Sequence, residues 1–522
     1  LVNHGYDLGL AYAAARVAWK HFNDPDFNVG AHRGQWLAKA NQIDEVRENA
    51  IYMDKDGQEL IKSPYRIMPR RVWDLKSNRV VEFRMLHSEL VASECLPASV
   101  INLEKAPLPP FWAITHSWTN EMLPVKTSIN QSQWPTPLPR RLDLEHSVRQ
   151  ELIGKGADYV WLDVLCLRQH SAANDTKYEE WKLDIPTIGN IYRAAVGIAR
   201  YFNGLGQPFS TTGWDDPRHW LCRAWTLQEI RCENTTYNAG LLHTATTAHA
   251  MLSTNSMVDQ KVTTLRQALH PIVKLAAQVD GPSGCSVYEL VQQMAKRHAT
   301  QPTDKVAGLF YLLRTTQLPT YDANITAGDA WARCFHVLPF ERKIEILFDY
   351  PYGGDNAGWF PTWRQLMQWP DRDTTYEHTA AVCLQRQVHL QSQDPKHLFV
   401  YAVWAICGVY FCETNEQDNE IKIKNKTYSF HYPYVHQKPI QISTSKRYTL
   451  VTTCPDHSYN WIVCESLGGR DETYTTPDGT TKTAEIKPLK KVGVLKTDSC
   501  SELVLGSGKR DSILTKINAL FV

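Results

Sequence analysis

Neither sign of charge dominates this sequence: 56 Lys and Arg against 55 Asp and Glu leave a formal charge of +1 over 522 residues. So balanced a chain has no global field to hold nucleic acid or an anionic membrane, and neither is expected as a partner. Long apolar runs are missing as well. The one nearest the start, Leu8 to Trp19, carries Arg16 and follows Asp7, which spoils a secretory core and a membrane span alike and reads as an amphipathic helix. The first residue is Leu1 rather than Met, so a leader upstream is left open. The 12 Cys form no C-x-x-C pair and no Cys/His spacing suited to a structural zinc. Reduced, mostly buried thiols and a cytoplasmic location are expected, with no cofactor and no metal. The N-x-S/T triplets at Asn130, Asn234 and Asn425 lie in a Thr-rich chain that produces such triplets by chance, and make no case for secretion.

What is present is ordinary globular composition, 43% hydrophobic and 21% charged, with 17 Trp and 23 Tyr. The length exceeds what one core supports, so several domains are expected. Residues 1–64 read as an N-terminal helical region, because YDLGLAYAAARVAWKHF and GQWLAKANQIDEVRENA space apolar residues three to four apart. Residues 65–240 read as an α/β domain. It opens on RRVWDLKSNRVVEFRML, whose alternation around Lys-Ser-Asn suggests a hairpin. Then come the apolar runs at 111–115, 159–165 and 195–202, separated by the helical patterns LDLEHSVRQELIGKG and EEWKLDIPTIGNIYRAA and followed by RHWLCRAWTLQEIRC, which reads as another helix. Runs apolar on both faces suit buried parallel strands, and strand-helix alternation implies a parallel sheet. A helical region at 241–374, with Thr303 as an expected N-cap before DKVAGLFYLL, leads to an antiparallel β domain at 375–522. That last reading rests on HYPYVHQ, KRYTLVTT, YNWIVCE and VGVLKT.

Three segments in this order and spacing, ITHSW at 114–118, WLDVLCLRQ at 161–169 and RAWTLQE at 223–229, together resemble the signature of the fungal heterokaryon-incompatibility (HET) domain. RHATQPTDKVAGLFYLL is similar to the stretch that often follows that domain, and WFPTWRQL looks like basidiomycete members. The first motif departs from the pattern: Thr119 stands where a Gly usually follows the Trp. The resemblance implies a fungal protein of non-self recognition and programmed cell death, a form of innate immunity. HET domains are regarded as distant relatives of TIR domains, several of which cleave NAD, so a TIR-like (flavodoxin-like) parallel sheet is implied, with NAD as a substrate. TIR enzymes carry a Trp and a catalytic Glu four apart on a helix after the third strand, and Trp225 with Glu229 match that spacing. Some TIR relatives work by self-association, which implies a homo-oligomer formed through the α/β domain and an unidentified protein partner.

Residues four apart share a helical face, so Leu221, Trp225 and Glu229 would form one stripe, with Glu229 the candidate catalytic group. N-glycosidic cleavage passes through an oxocarbenium-like state that a carboxylate beside the ribose stabilises. The plainer alternative pairs Glu229 with Arg193, Arg200 or Arg223. His116, Ser117, Trp118 and Asp163 to Cys166 should fall beyond the carboxyl ends of strands, where open α/β sheets bind ligands. His116, Ser117, Trp118, Asp163 and Trp225 are therefore the substrate-binding candidates, against plainer readings of Trp118 as core, Ser117 as a turn cap and Asp163 as a backbone acceptor. Cys166 near His116 and Asp163 would permit a Cys-His nucleophile pair, though a Cys closing an apolar run is more often a small buried hydrophobe. Trp161 reads as core. LVLGSGKRD has Leu503 and Arg510 where a phosphate-binding loop needs Gly and Ser or Thr, and GLG at 204–206 lacks the third Gly of a dinucleotide fingerprint.

Overall fold

The computed structural model describes residues 8–9, 12, 16, 44–84, 86, 109–119, 121–169, 176–210, 213–229, 236–238, 263, 267, 270, 273–275, 277–278, 285–352, 359–370, 389–390, 398–411, 419–423, 426–430, 443, 445–452, 460–475, 481–496 and 514–521. HYPYVHQ, LVLGSGKRD, Asn234, Asn425 and most of the two N-terminal helical patterns lie outside them. The chain forms two compact units, Leu1–Cys285 with Lys296–Val337, and Ser286–Ala295 with Leu338–Val522. Among the described residues no helix is long and apolar enough to cross a membrane.

The first unit is mixed α/β. A hairpin, β1 (Ile51–Met53) and β2 (Glu59–Lys62), occupies the end of the segment expected to be helical. The reason is local: Asp54 accepts from the backbone N–H groups of Asp56 and Gln58, and Gly57 takes φ 76, so DKDGQ closes a turn. A six-stranded sheet follows, built from β3 (Arg71–Asp74), β4 (Arg79–Glu82), β5 (Trp112–His116), β8 (Tyr159–Trp161), β9 (Gly197–Tyr201) and β10 (Thr236–Asn238). Between β5 and β8, the strands β6 (Met122–Val125) and β7 (Thr136–Pro139) form a separate hairpin. β11 (Gln317–Pro319) adds to β2.

The large sheet runs β10-β9-β5-β8-β3-β4. Its first four members are mutually parallel, while the expected hairpin β3–β4 joins antiparallel to β8. The sheet is therefore mixed rather than wholly parallel. Numbered by appearance, the parallel strands lie in the order 2-1-3-4, so the three apolar runs do sit side by side, with β5 central. Every residue of β9 is buried, as is all of β5 except Trp112, which explains the unbroken apolar pattern. Gly197 stands opposite Trp112, where an added Cβ would come within 2.7 Å of the indole.

The crossovers are shorter than the sequence pattern suggests. A π-helical turn, Leu144–Arg149, capped by the Asp143 carboxylate, runs into α1 (Gln150–Gly154). The second apolar run makes only three residues of strand before Asp163 starts α2 (Asp163–Cys166). Pro186, which has no N–H, divides the next helical pattern into α3 (Lys177–Asp184) and α4 (Ile188–Ala194). Further on are α5 (Pro302–Phe310) and α6 (Ala327–Val337). The N-cap of α5 is Gln301 and Thr303 lies inside its first turn, because Pro302 takes N1.

The described part of RHWLCRAWTLQEIRC, residues 218–229, is not a continuous helix. It folds as two 3-10 turns, Trp220–Cys222 and Trp225–Leu227, separated by Arg223 in an extended conformation. There the backbone pairs with His298: His298 N–H donates to the Cys222 carbonyl at 2.6 Å, and Ala224 N–H to the His298 carbonyl at 2.8 Å. Buried Arg297 donates to the Arg223 carbonyl as well. A tertiary pairing has replaced the helical hydrogen bonds.

The second unit holds helices Val287–Ala295, Phe340–Asp349 and Trp363–Met367 with a nine-stranded sheet. Its strands are β12 (His389–Leu390), β13 (Leu398–Phe411), β14 (Asn419–Ile423), β15 (Lys426–Phe430), β16 (Tyr448–Thr452), β17 (Asn460–Ser466), β18 (Arg470–Thr475), β19 (Thr481–Lys496) and β20 (Leu514–Phe521). All pairings are antiparallel save β19 with β20. The helices at 340–349 and 363–367 belong with this sheet. Lys491 of β19 bonds the Leu347 and Tyr350 carbonyls, and Val494 N–H bonds that of Pro351 at 3.2 Å.

Candidate functional site

Where β5 and β9 lie side by side, the crossover from β5 leads to one flank and the rest of the chain to the other. That is a topological switch point, and the carboxyl ends of the strands around it are where open α/β sheets place ligands. Thr115, His116, Ser117 and Trp118 leave β5 there; Asp163 leaves β8.

The His116 ring is buried between two acceptors: Nε2 donates to Asp163 Oδ1 at 2.8 Å, and Nδ1 lies 3.2 Å from the Ser117 carbonyl. Two acceptors suit an imidazolium, which donates from both nitrogens. Burial works against that charge, but the Asp163 carboxylate outweighs it, and the pKa of His116 is raised. Asp163 is lowered in turn: burial opposes its ionisation, yet His116, the Trp118 indole N–H at 3.0 Å and the Val164 N–H at 2.7 Å all favour the carboxylate. Trp118 is 36% exposed, so the cluster reaches the surface through its ring and through Asp163.

Glu229 sits behind that cluster, 7% exposed, at the end of the second 3-10 turn. The Thr115 hydroxyl donates to its carboxyl and itself accepts from the Trp220 indole N–H at 2.6 Å. Tyr192, whose hydroxyl donates to the Ile114 carbonyl at 2.9 Å, is within hydrogen-bond reach of the same carboxyl. Burial pushes Glu229 up to about 7; Asp163 adds to the shift, while Thr115 and His116 moderate it. Among the described residues no arginine forms an ion pair with Glu229. Arg193 donates to the Tyr311 hydroxyl and Arg200 lies over the Trp220 ring at 4.8 Å, while the charges of Arg223 and buried Arg297 act on Glu229 without an ion-pair contact. Glu180 of the same unit shows the contrast: Arg71 grips both its oxygens at 2.8 Å, Arg168 adds a third bond, and despite burial its pKa is held at about 2.

The other candidates fall elsewhere. Trp225 is half-buried, its ring tilted 6.5 Å from Tyr321 and its indole N–H engaged with Asp304, so it does not share a face with Glu229. The break at Arg223 and the 3-10 geometry put the two on different sides of the segment. Leu221 leaves the expected stripe for the same reason. The buried Ser117 hydroxyl donates to the Phe202 carbonyl at 3.4 Å. Cys166 is buried, its Sγ 3.9 Å from the Val160 carbonyl, with its thiol pushed up to about 12 by burial. With His116 Nε2 committed to Asp163, the geometry gives no Cys-His nucleophile pair. Trp161 is core, edge-on to Tyr192 at 5.5 Å. GLG at 204–206 is a turn with Gly204 at φ 110 and Gly206 at φ 67.

Sequence reasoning did not single out Thr115, Tyr192 or Trp220. Thr115 carried a signal, being a polar residue inside an otherwise buried strand. For metals, the described residues offer Asp54, Asp56 and His336, whose ligand atoms lie within 4.8 Å of one another. His336 Nε2 is 3.2 Å from Asp54 and 3.6 Å from Asp56, the arrangement of a histidine ion-paired to a turn.

The fold and site together define a two-unit protein whose mixed α/β sheet carries a buried acid and a His-Asp-Trp cluster at its carboxyl edge. Comparison with protein-family models, curated proteins and solved structures returned no match.

Proposed function

We propose that residues 65–240 form a TIR-like module of the HET type, acting in fungal non-self recognition and programmed cell death, and that it hydrolyses NAD at the N-glycosidic bond. The observation that carries the catalytic reading is Glu229: a buried carboxyl in no ion-pair contact with an arginine among the described residues, at about 7, against the switch point of the sheet. The strand order 2-1-3-4 supports the fold assignment, being that of flavodoxin-like sheets. In this reading the bond between the ribose and the nicotinamide ring breaks with its electron pair moving to the ring nitrogen, so nicotinamide leaves neutral. The ionised Glu229 stabilises the positive charge left on the ribose and takes the proton of the water that adds there. Trp118 supplies a ring face, and the His116–Asp163 pair fixes it.

A second reading has its own observation. Glu229 is 7% exposed, accepts from Thr115 and lies within hydrogen-bond reach of Tyr192, which lets it tie β5 to α4 and the 225–229 segment without chemistry. The module would then signal by self-association. Incubating purified chain with NAD and measuring nicotinamide separates the two. Release in proportion to protein concentration supports hydrolysis, and its absence with concentration-dependent oligomerisation supports the signalling module.

A further inference from the structure

Away from the carboxyl edge of the sheet, the first unit contains a cavity of about 460 Å³ lined by Tyr65, Asn190, Arg193, Tyr311 and Arg314. None of these five is a carboxylate, and two are arginines. The site is built by three separate stretches of chain. Tyr65 belongs to a 3-10 turn at Pro64–Arg66, Asn190 and Arg193 to α4, and Tyr311 and Arg314 to the turn that ends α5. Each wall is pinned. The Tyr65 hydroxyl donates to the Thr315 carbonyl at 3.0 Å, and its ring stands edge-on to Tyr311 at 5.9 Å. Arg193 donates to the Tyr311 hydroxyl at 3.2 Å, and buried Asn190 donates to the Ile67 carbonyl at 3.0 Å. Tyr311 lies so close to α4 that a Cβ at Gly189 would come within 2.4 Å of its ring.

Arg314 is the informative member. Its φ of 56 is left-handed, at the point after a helix where glycine or asparagine is the low-cost residue. An arginine there accepts a backbone penalty on the order of 1 kcal/mol, and strained positions of this kind gather at ligand sites. The plainer explanation is that Arg193 and Arg314 only complement the carboxyl ends of two helices. That accounts for the charges, but not for their meeting over one tyrosine-walled cavity. Both guanidinium groups favour ionisation of the Tyr65 hydroxyl, against the burial that pushes it up to about 12.

We propose that this cavity binds a small phosphate monoester carrying a flat ring, independently of the Glu229 site. A phosphate monoester bears close to two negative charges at neutral pH, matching two arginines, where a carboxylate bears one. Guanidinium forks fit its oxygens, and the 37% exposed Tyr65 ring offers a face for stacking. The volume suits a ligand of mononucleotide size.

The test is calorimetric titration of the full chain with adenosine 5′-monophosphate at low ionic strength, with adenosine and inorganic phosphate as separate arms. Saturable binding that weakens with salt is expected, with adenosine binding at least about tenfold more weakly for want of the charged group and phosphate more weakly for want of the ring. Arg314→Gly removes the charge while relaxing the backbone, so a misfolded product is not the expected result; it should weaken binding at least about tenfold. Glu229→Gln should leave binding unchanged, which keeps this site separate from the proposed hydrolytic one. The proposal is overturned if the wild type does not bind the monophosphate, if Arg314→Gly binds it as the wild type does, if Glu229→Gln abolishes binding, or if adenosine binds equally well. Inorganic phosphate binding as tightly as the nucleotide would overturn the ring's part.

Discussion

Among the described residues, each unit buries an ionisable side chain whose pKa is driven to about 7, and the two arrive there from opposite sides. Glu229 of the first unit is pushed up by burial from the ordinary carboxyl range; Lys491 of the second is pushed down by burial from that of an amine. Their partners differ. Lys491 donates to the Leu347 and Tyr350 backbone carbonyls at the end of helix Phe340–Asp349. The Leu347 carbonyl would ordinarily accept from residue 351, which is Pro351 and has no N–H, so the lysine supplies the missing donor. Glu229 meets side chains instead: the hydroxyls of Thr115 and Tyr192, with the His116–Asp163–Trp118 cluster beside them. A pKa near 7 thus does not by itself mark a catalytic group. The lysine completes a helix end, whereas the glutamate's partners are side chains at the carboxyl edge of the sheet.

The largest effect expected to sharpen that contrast is on turnover. If the chain hydrolyses NAD, Glu229→Gln keeps the shape, removes the charge and should lower nicotinamide release by about 10²-fold. Undiminished turnover in a folded variant would remove Glu229 from the mechanism. Turnover should also rise with pH through about 7, as the carboxyl ionises. Stability runs the other way. A folded carboxyl raised above its unfolded value keeps its proton longer, so its contribution is full below about 4.5 and is lost as pH rises to about 7. Thermal unfolding of Glu229→Gln should lack that slope.

Lys491 predicts the opposite slope. With a folded value near 7 and an ordinary one of 10.5, the unfolded chain binds the extra proton between them, so stability of the second unit should rise with pH across that window. Lys491→Met removes the slope. Above about pH 8 it should also cost about 2 kcal/mol, because two buried carbonyls lose their donor. A variant as stable as the wild type at that pH would show that the carbonyls find other partners, and would break the account of Lys491 as a helix-end donor.

How much of this was legible in the sequence depended on whether the deciding interaction was local. The parallel strands were, since β5 and β9 must be apolar on both faces, and so was the β3–β4 hairpin, because Asn78 can take the left-handed φ of 54 that its turn needs. The 220–229 segment reads as a helix in the sequence, but the pairing with His298 redirects it, and a partner that distant leaves no periodicity to read. The Trp225–Glu229 spacing failed with it: one side chain goes to Tyr321 and the other to Thr115. Of the candidate site, His116, Asp163, Trp118 and Glu229 come together, while Ser117 and Trp225 turn to other neighbours. Lys491 was invisible within LKKVGVLK, where the other two lysines, Lys490 and Lys496, give no hint of which one is buried.

The smallest effect concerns the His116–Asp163 pair, which decides whether the surface-reaching half of the site is preorganised. Asp163→Asn keeps the size but leaves an amide that accepts through one oxygen only, where the carboxylate takes His116, Trp118 and Val164 together. Without the charge, burial dominates and the His116 pKa should fall, a change that imidazole resonances followed by NMR would show. The stability difference has a window. Asp163, lowered below its ordinary 3.8, contributes above that value, and His116, raised above its ordinary 6.5, contributes below that one. The wild type should therefore exceed the variant by about 1 kcal/mol between about pH 4 and 6.5, with the gap narrowing as the imidazolium deprotonates above that range. A gap that does not vary with pH would mean that His116 is neutral throughout, with Nε2 donating to Asp163 as an uncharged ring. The pair would then orient Trp118 without adding its own positive charge beside Glu229, and the carboxyl would owe its value near 7 to burial and Asp163, moderated by Thr115 and Tyr192 and by the charges of Arg223 and Arg297.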